Sequence, residues 1–595
     1  MDSDDLRARY RAERDKRLRP EGSAQYREPV GRFASLLDDP YTARVERPAV
    51  VREVEVVVIG AGFAGLVTGA ALRRAGVEDV CLIDGAGDVG GTWYWNRYPG
   101  AMCDTAAMIY LPLLEETGTV PSAKYVPAAE IYAHARRIAT TFDLYRNALL
   151  STQVAEVVWD ETAARWRVTT DRGDRLDARF VTMGTGPLHR PKLPGVAGLD
   201  HFAGSVFHTS RWEYAVTGGS PEGAPMTALA GRRVGIIGTG ATAVQCIPHL
   251  ARDAGELYVF QRTPSSVDAR RNETIDPTWF ASLQPGWQKH WTRNFATLQT
   301  GGFAPDDLVD DGWTEITKRI RDRVVELLGA GESWSPATAR RAYEETDDAK
   351  MNEIRERVSD IVANSKTAEE LMPWYRQLCK RPCFHDEYLD AFNRSTVHLI
   401  DTDGRGVEAV DETGVWAAGR HFPLDVLVLA SGFEVGTDVQ RRSGFPVTAR
   451  DGVTLSQAWA QGMVSLHGMH VHGFPNLFVT GFSQGSNLIS NVTQNLTEAA
   501  DTVAAVVVEA KRRSATVVEA TAEAQAAWVA LIESSERTML GDAECTPGYY
   551  NNEGGPIGRR ERLNGGGYPL GPVAFWELMD EWRASGRFDG LTLRV

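Results

Sequence analysis

A glycine-rich turn between a buried strand and a helix occurs twice in this chain, and it constrains the fold more than any other feature. The first turn follows the strand VEVVVIG and the second follows VGIIG. The small residues of the two turns are Gly60, Gly62 and Gly65 in the first, and Gly238, Gly240 and Ala243 in the second. Such a turn lets a pyrophosphate approach the backbone and lets the helix pack closely on its strand. The sequence therefore predicts an α/β fold with two separate Rossmann-like dinucleotide-binding units.

The residue that ends the second strand of each unit indicates which dinucleotide binds there. In the first unit the strand VCLID ends in Asp84, whose carboxylate suits the ribose hydroxyls of FAD or NAD and repels a 2′-phosphate. In the second unit the strand ends before Arg262 and Thr263, whose guanidinium and hydroxyl suit the 2′-phosphate of NADP. We therefore expect FAD in the first unit, NADPH in the second, and hydride transfer from the nicotinamide to the flavin.

Charge and composition exclude several classes of partner. The formal net charge of -15 argues against nucleic acid and against an anionic membrane surface, since both require clustered Lys and Arg. The one apolar run that approaches membrane-spanning length, residues 56–72, is interrupted by glycines and predicts a strand, a turn and a helix. The charged N-terminal sequence lacks a secretory signal, so we expect a cytoplasmic protein with small-molecule partners.

Cysteine and histidine spacing predicts no metal site. The six cysteines are Cys81, Cys103, Cys246, Cys379, Cys383 and Cys545. Their scatter favours free thiols in a reducing compartment rather than a zinc site or a redox dithiol. The histidines of HGMHVH (467–472) have no Asp, Glu or Cys among them, and we expect them to be structural. A disulfide reductase would need a cysteine pair in the segment after Asp84, so molecular oxygen is the expected electron acceptor.

Changes in sequence pattern divide the chain into segments. Charged, helix-periodic stretches such as KMNEIRERVSDIV predict a helical insertion, whose charges are typical of solvated faces but which is also placed to wall a substrate pocket. The strand patterns FPLDVLVLASGFE and PNLFVTGF predict that the chain then returns to complete the FAD domain. The expected segments are an N-terminal extension without assigned chemistry (1–49), the first part of the FAD domain (50–195), the NADP domain (196–390) with its insertion (about 272–372), the second part of the FAD domain (391–515) and a C-terminal helical and loop segment (516–595).

The segment between the two glycine-rich turns carries a specific motif. FAGSVFHTSRW places Phe202, Gly204, His208 and Trp212 in the pattern F-x-G-x-x-x-H-x-x-x-W. This resembles the fingerprint of the type I Baeyer–Villiger monooxygenases, which are class B flavoproteins. The fingerprint usually ends in Pro or Asp, whereas Glu213 follows here. The resemblance extends through GGTWYWNRYPG, CDTAAMIY, VFQRTP and GFPNLF, and so covers most of the chain.

The resemblance implies a set of cofactor contacts. On the FAD side these are Gly60, Gly62, Phe63, Gly65, Asp84, Gly91, Thr92, Trp93, Trp95, Met102, Cys103, Asp104, Tyr110 and Val154. On the NADP side they are Gly238, Thr239, Gly240, Ala241, Thr242, Ala243, Arg262, Thr263 and Lys380. Met102 departs from the family pattern, since many relatives have Arg there. We expect this difference to alter the position of the nicotinamide or of the substrate.

The resemblance also implies a catalytic pair. Arg381 matches the arginine that stabilises the negatively charged C4a-peroxyflavin, and Asp104 is expected to orient it. The chemistry agrees, because a fixed guanidinium favours this anion and the adduct that it forms on attack at a ketone. The alternative is a solvent-facing Lys-Arg dipeptide. For His208 the resemblance implies a role in domain movement and not in catalysis.

The N-terminal extension and the tail CTPGYYNNEGG resemble the subgroup that includes cyclopentadecanone monooxygenase and the pentalenolactone D synthases. This resemblance implies a large or polycyclic ketone, oxidised to a lactone with NADPH and oxygen. The most specific hypothesis is 1-deoxy-11-oxopentalenate, in the biosynthesis of a sesquiterpenoid antibiotic. Two alternatives stay open at this point, namely oxygenation at nitrogen or sulfur and a non-catalytic flavoprotein that senses NADPH.

Overall fold

A computed structural model describes residues 3–481, 484, 491–536 and 544–595. The strands are β1 Tyr26–Arg27, β2 Val51–Ile59, β3 Val80–Ile83, β4 Val154–Asp160, β5 Arg165–Thr170, β6 Arg175–Met183, β7 Leu193–Pro194, β8 Ser205–His208, β9 Arg233–Ile237, β10 Glu256–Gln261, β11 Val267–Asp268, β12 Cys383–Phe384, β13 Val397–Asp401, β14 Ala409–Val410, β15 Gly414–Ala417, β16 Arg420–Pro423, β17 Val426–Leu429, β18 Val447–Thr448, β19 Leu477–Val479, β20 Val517–Ala520 and β21 Leu591–Arg594. The helices are α1 Ser3–Asp15, α2 Phe63–Arg74, α3 Thr92–Trp95, α4 Ala107–Tyr110, α5 Leu114–Thr117, α6 Ala128–Thr141, α7 Tyr214–Thr217, α8 Ala241–Asp253, α9 Pro277–Ala281, α10 Trp287–Gln299, α11 Gly312–Gly329, α12 Pro336–Ile361, α13 Ser365–Leu371, α14 Val439–Ser443, α15 Leu455–Ala458, α16 Val492–Arg512, α17 Ala522–Glu533, α18 Arg559–Gly565 and α19 Pro572–Ser585.

The first glycine-rich turn follows strand β2 of the first sheet. Its strand order is β18-β4-β5-β6-β2-β3, and β19 also pairs with β6. Strand β2 is parallel to β3 and β6, and its last four residues are buried because the sheet is covered on both faces. Helix α2 follows the turn and packs between this sheet and α16, so ten of its residues are buried. The predicted strand, turn and helix over residues 56–72 are confirmed.

The second sheet is entirely parallel, in the order β13-β10-β9-β17-β8. Here one expectation is wrong. The strand in FPLDVLVL, β17, does not complete the first sheet but lies between β9 and β8 of the second. An apolar run that is buried on both faces fits either parallel sheet, so its pattern does not identify its partner. The chain returns to the first sheet later, through β18 and β19.

The FAGSVFHTSRW segment forms the β8 edge of the second sheet. His208 ends this strand, and its Nδ1 accepts a hydrogen bond from the backbone N–H of Ser210. Burial, reinforced by Arg211, lowers the pKa of His208 to about 3, so the imidazole is neutral near pH 7. The ring packs edge-on against Phe433. A neutral, enclosed imidazole of this kind is not a proton donor to a substrate.

Helices α9–α13 form the insertion, and the N-terminal extension packs on it. Helix α1 buries Tyr10, whose hydroxyl accepts a hydrogen bond from Arg355 of α12 at 3.4 Å. Arg7 of α1 pairs with Glu344 of the same long helix at 2.5 Å. The extension is therefore fixed to the insertion by both apolar burial and charge pairing.

The C-terminal segment adds helices α17–α19 and the antiparallel pair β20 and β21. His467 and His470 pack against the ring of Trp582 in α19, and burial lowers their pKa values to about 4 and 3. Within the described ranges, no three His, Cys, Asp or Glu side chains are grouped as a metal site would require. None of the helices in those ranges combines the length and the apolar character that a membrane crossing needs.

The third glycine of the first turn generates a testable prediction. A Cβ atom on Gly65 would lie 1.9 Å from the carbonyl oxygen of Gly60, so Gly65→Ala must push α2 away from β2. We expect a loss of about 1–3 kcal/mol of stability and a weaker hold on FAD. A thermal unfolding scan and the flavin-to-protein absorbance ratio measure both effects. Gly436→Ala is the control, because its Cβ would meet nothing within 4 Å; equal behaviour of the two variants would contradict the prediction.

Candidate active site

A large cavity of about 1110 Å³ runs along the carboxyl ends of the parallel strands in both sheets. Both glycine-rich turns open into it, which is where ligands bind in folds of this kind. Most of the residues predicted from the sequence line it: Gly60, Gly62, Phe63, Asp84, Gly91, Thr92, Trp93, Trp95, Met102, Cys103, Tyr110, Val154, Gly238, Thr239, Gly240, Ala241, Thr242, Arg262, Thr263, Lys380 and Arg381. Three predicted residues are not on its wall. Gly65 and Ala243 lie inside helix packing, and Asp104 lies behind Arg381.

The first turn is shaped for a dinucleotide with no side chain in the way. Gly60 has φ +102, and a Cβ there would lie 2.4 Å from the carbonyl oxygen of Gly184. Gly62 approaches Gly91 so closely that its Cβ would be 3.3 Å from the Gly91 Cα. The Asp84 carboxylate is held by the backbone N–H groups of Ala61 and Ala86 at 2.6 and 2.8 Å. Bare backbone at the helix N-terminus beside a fixed carboxylate fits the pyrophosphate and ribose of FAD.

Aromatic rings line the cavity next to this turn. Trp93 Nε1 donates to the Tyr110 hydroxyl at 3.0 Å, and the ring of Phe63 meets Tyr110 edge-on at 6.0 Å. Cys103 is close by, and burial raises the pKa of its thiol to about 12, so it stays protonated. These groups form a rigid wall suited to a planar aromatic ligand.

The second turn lies beside a group of cations. A Cβ on Gly240 would meet nothing within 4 Å, so the N-terminus of α8 faces open cavity. Arg262, Lys380 and Lys192 line the same part of the cavity. The Thr263 hydroxyl there is buried and has no hydrogen-bond partner among the described residues. Three cations and an unused hydroxyl beside a helix N-terminus fit the phosphates of NADP.

Arg381 and Asp104 meet in the cavity between the two turns. Arg381 Nη1 donates to Asp104 Oδ2 at 2.8 Å, while Arg270 Nη2 donates to Oδ1 of the same carboxylate at 2.5 Å. Arg270 follows β11 and Arg381 precedes β12, so the two arginines reach Asp104 from opposite ends of this short parallel pair. Burial opposes the charge of Arg381, but Asp104 outweighs it and raises the pKa of the guanidinium well above its ordinary value. Arg381 is therefore a permanent cation on the cavity wall.

The helical insertion takes part in this arrangement through Trp313. The indole Nε1 donates to the backbone carbonyl of Asp104 at 2.9 Å, and the ring lies 5.7 Å from the Arg381 guanidinium carbon. Asp311 caps α11 by accepting from the Trp313 and Thr314 N–H groups, which fixes where the indole points. Trp313 also lines the cavity, so the insertion does wall the site.

Comparison with known proteins decides the family. The family model described as pyridine nucleotide-disulphide oxidoreductase matches residues 57–296. The chain is 48% identical over 598 residues to neopentalenolactone D synthase from Streptomyces avermitilis, covering 100% of both chains. It is 47% identical to a Baeyer–Villiger monooxygenase from Streptomyces coelicolor, covering 97% of this chain and 95% of that protein. The chain belongs to the Baeyer–Villiger monooxygenases.

Solved structures agree with this family. The polycyclic ketone monooxygenase from Thermothelomyces thermophila matches with a TM-score of 0.88 at 36% identity, over 99% of this chain and 98% of that one. OTEMO in complex with FAD and NADP matches with a TM-score of 0.73 at 27% identity, over 91% of this chain and 99% of that one. The predicted family, the double Rossmann-like fold, and FAD and NADPH as cofactors are confirmed. The Baeyer–Villiger monooxygenase consumes NADPH and oxygen and oxidises a ketone.

The sequence missed cavity residues contributed by both ends of the chain. From the N-terminal extension, to which the sequence assigned no chemistry, Arg19, Gln25 and Tyr26 line the cavity. From the C-terminal segment, Tyr549 and Glu553 line it as well. The extension has no motif that marks a ligand contact. The tail CTPGYYNNEGG carries a family resemblance but no local pattern that predicts its position at the cavity, because that position depends on contacts with residues far away in the sequence.

One expectation about cysteine is also wrong. Cys379 and Cys545 form a disulfide across a sequence separation of 166 residues, whereas Cys81, Cys103, Cys246 and Cys383 are free. Spacing along the chain cannot reveal a pair that only the fold brings together. Because Cys379 directly precedes Lys380, the bridge ties the C-terminal segment to the loop that carries Lys380 and Arg381.

The monooxygenase should bind NADP(H) more weakly as the pH rises above 8. Burial lowers the pKa of Lys380 to about 8, Arg262 acts in the same direction, and Glu553 opposes the shift. Below pH 8 the ammonium is charged and attracts the 2′-phosphate, whereas above pH 8 binding must also restore its proton. We expect the Kd of NADP⁺ to rise by up to about tenfold per pH unit between pH 8 and 9. Titration calorimetry of the holoenzyme at several pH values measures this slope.

The control for this pH dependence is Lys380→Met. The variant should bind NADP⁺ more weakly at pH 7 and lose the slope above pH 8, because it has no ammonium to titrate. An unchanged slope in the variant would show that another group is responsible.

Proposed function

We propose that this Baeyer–Villiger monooxygenase oxidises a tricyclic sesquiterpenoid ketone acid such as 1-deoxy-11-oxopentalenate to a lactone of the pentalenolactone D type. The observation that carries the proposal is the 48% identity over the full length of both chains with neopentalenolactone D synthase. The 0.88 TM-score with a polycyclic ketone monooxygenase supports a substrate of several fused rings. A cavity of about 1110 Å³ gives bulky ligands room beside the Arg381 cation.

The overall reaction balances as ketone, O₂, NADPH and a proton giving lactone, NADP⁺ and water. When bound, NADPH supplies the hydride and FAD supplies oxygen activation. The chain's own part is to hold a cation where negative charge develops and to keep bulk water out. Arg381 is the proposed catalytic cation, because its guanidinium is permanently charged and faces the cavity.

Asp104 is the proposed positioning partner of Arg381. Asp104 is 3% exposed, and its carboxylate accepts from Arg270 as well as from Nη1 of Arg381, while the other edge of the Arg381 guanidinium makes no hydrogen bond to it. Trp313 holds the Asp104 backbone from the insertion side. The three groups together fix the cation without neutralising it on the cavity side.

The cofactor contacts are proposed in the same way. The residues around Gly60, Asp84 and Trp93 would hold FAD, and those around Gly240 and Arg262 would hold NADPH. We keep the segment boundaries expected from the sequence, with one change. The stretch from β13 to β17 is assigned to the NADP domain, because β13 and β17 belong to its sheet and β14–β16 form a small sheet between them in the sequence. We place the reaction in the cytoplasm, because that compartment supplies both NADPH and FAD.

Replacing the proposed catalytic cation should separate the two halves of the reaction. Arg381→Ala is expected to leave NADPH oxidation measurable while lactone formation falls on the order of 10²–10³-fold, since one fixed charge next to a developing anion has that value. Anaerobic stopped-flow reduction and product analysis by mass spectrometry measure the two halves. Arg232→Ala, at an exposed position, is the control. A near-normal rate of lactone formation by Arg381→Ala would remove Arg381 from the mechanism.

A substrate panel tests the ketone itself. The holoenzyme with NADPH and oxygen is given 1-deoxy-11-oxopentalenate, a steroid ketone, cyclopentadecanone, an alkyl sulfide and an amine, and the products are identified by mass spectrometry. We expect lactone from the tricyclic ketone acid, with NADPH and oxygen consumed one to one. An unsymmetrical ketone yields two lactones according to which carbon migrates, and nuclear magnetic resonance identifies which one forms. Efficient turnover of the large-ring ketone or the sulfide, and none of the ketone acid, would contradict the proposal.

A further inference from the structure

Residues 545–555, which we name the cover segment, lie over the cavity near the second glycine-rich turn. The segment begins at Cys545, which is joined to Cys379. Gly548, Tyr549, Tyr550 and Glu553 of this segment line the cavity. It is therefore part of the wall of the proposed NADP site and is attached to the rest of that wall by a covalent bond.

Glu553 in this segment has unusual surroundings. Its side chain is 6% exposed, and its Oε2 is 3.7 Å from Nη2 of Arg262. That same oxygen is buried without a hydrogen-bond partner among the described residues. The negative charge of Glu553 also favours the protonated forms of Lys380 and Lys192. A single carboxylate thus lies among the cations that we assign to the 2′-phosphate.

The local backbone directs this carboxylate inward. Asn552 and Glu553 have φ +53 and +54, which places both in the left-handed region, a conformation that Asn tolerates and that is unfavourable for Glu553. The turn is held by Asn551, whose Oδ1 accepts from the Gly548 N–H at 2.9 Å, and by the Glu553 N–H, which donates to the Gly548 carbonyl at 2.8 Å. These two hydrogen bonds hold the turn in its strained conformation, and they thereby fix the position of Glu553.

The carboxylate and a 2′-phosphate cannot both be stable at this position. A phosphate monoester carries a charge close to -2 at pH 7, and like charges placed together in a buried site cost several kcal/mol. A buried carboxylate oxygen without a hydrogen bond is itself unfavourable. Glu553 offsets the charge of the surrounding cations, but a bound phosphate would offset the same charge and would repel Glu553.

We propose that the Glu553 carboxylate and the 2′-phosphate of NADP compete for the same cations, so that the phosphate displaces Glu553 and swings the cover segment away while the Cys379–Cys545 bridge keeps the segment attached. The inference rests on the proposed NADP site. It makes Glu553 a determinant of NADP(H) affinity that acts against binding. The opposite possibility is that Glu553 stays in place and hydrogen-bonds an adenosine ribose hydroxyl, in which case its removal would weaken binding.

The first test compares two small probes on the purified holoenzyme by titration calorimetry at pH 7. The probe 2′,5′-ADP carries the phosphate in question, and 5′-AMP lacks it. Glu553→Gln should bind 2′,5′-ADP at least about tenfold more tightly than the wild type does, with 5′-AMP changed by less than about twofold. Glu222→Gln, on the exposed surface, should change neither. Unchanged or weaker binding of 2′,5′-ADP by Glu553→Gln would overturn the inference.

A further variant separates this inference from the assignment of the NADP site. Arg262→Ala should reduce the affinity of the holoenzyme for 2′,5′-ADP to nearly that for 5′-AMP. If it does not, the assigned phosphate site is wrong, whatever Glu553→Gln shows. If it does and Glu553→Gln fails to tighten binding, the site stands and the displacement is wrong.

The second test observes the cover segment directly. Hydrogen–deuterium exchange of backbone amides in residues 549–555 should increase when 2′,5′-ADP binds and should not increase with 5′-AMP. In Glu553→Gln the exchange should already be raised without ligand, and the flavin content of the preparation shows that the variant is folded. A decrease in exchange on adding 2′,5′-ADP would mean that the segment closes on the ligand, and would overturn the inference.

Discussion

The buried carboxylate of Asp104, held between Arg381 and Arg270, is the interaction on which the rest of the site depends. A carboxylate that is 3% exposed is tolerable only when its charge is matched, and here each oxygen has its own guanidinium. The partners come from three places: Asp104 from the loop after α3, Arg270 from the loop after β11, and Arg381 from the loop before β12. Two positive charges against one negative leave a net cation at the cavity wall. The site therefore needs the FAD unit and the NADP unit together, and the insertion adds the Trp313 hydrogen bond to the Asp104 backbone.

The two glycine-rich units share one scaffold and differ in the charge at a strand end, and we propose that this charge selects the cofactor that each unit holds. Both use a bare glycine turn and a helix N-terminus, and they differ in Asp84 on one side and Arg262 on the other. Asp84 is oriented by two backbone N–H groups, that of Ala61 in the glycine-rich turn and that of Ala86 in the loop after β3. Arg262 is part of a cluster of cations, and burial, with a smaller contribution from Arg262, lowers the pKa of Lys380. The cations of the second site repel one another, and a dianionic ligand bound among them would relieve that repulsion.

Sequence patterns anticipated the parts of this structure that are local. Gly60, Gly62 and Asp84 follow one another at fixed spacing within one strand-turn-helix-strand unit, and the same logic located Gly238 and Arg262. Arg381 was reached only through family resemblance, since a Lys-Arg dipeptide has no local pattern that marks a site. The prediction for β17 named the wrong sheet, because the sequence of a strand that is buried on both faces does not indicate which strands pair with it. The Cys379–Cys545 bridge could not be anticipated, because only the folded chain brings those two residues together.

Contacts from both ends of the chain meet at Arg262, to which we assign selectivity for NADP(H). Its Nη1 donates to Gln25 of the N-terminal extension at 2.5 Å, and its backbone carbonyl accepts from Arg17 at 3.1 Å. Its Nη2 faces Glu553 of the C-terminal segment. A guanidinium on a flexible stem discriminates between ligands only if its position is fixed, and the contacts with Gln25 and Arg17 hold it whether or not Glu553 stays beside it. Exchanging the strand-end residue alone would therefore not transfer cofactor preference to another Rossmann unit, because the contacts that position the charge would be left behind.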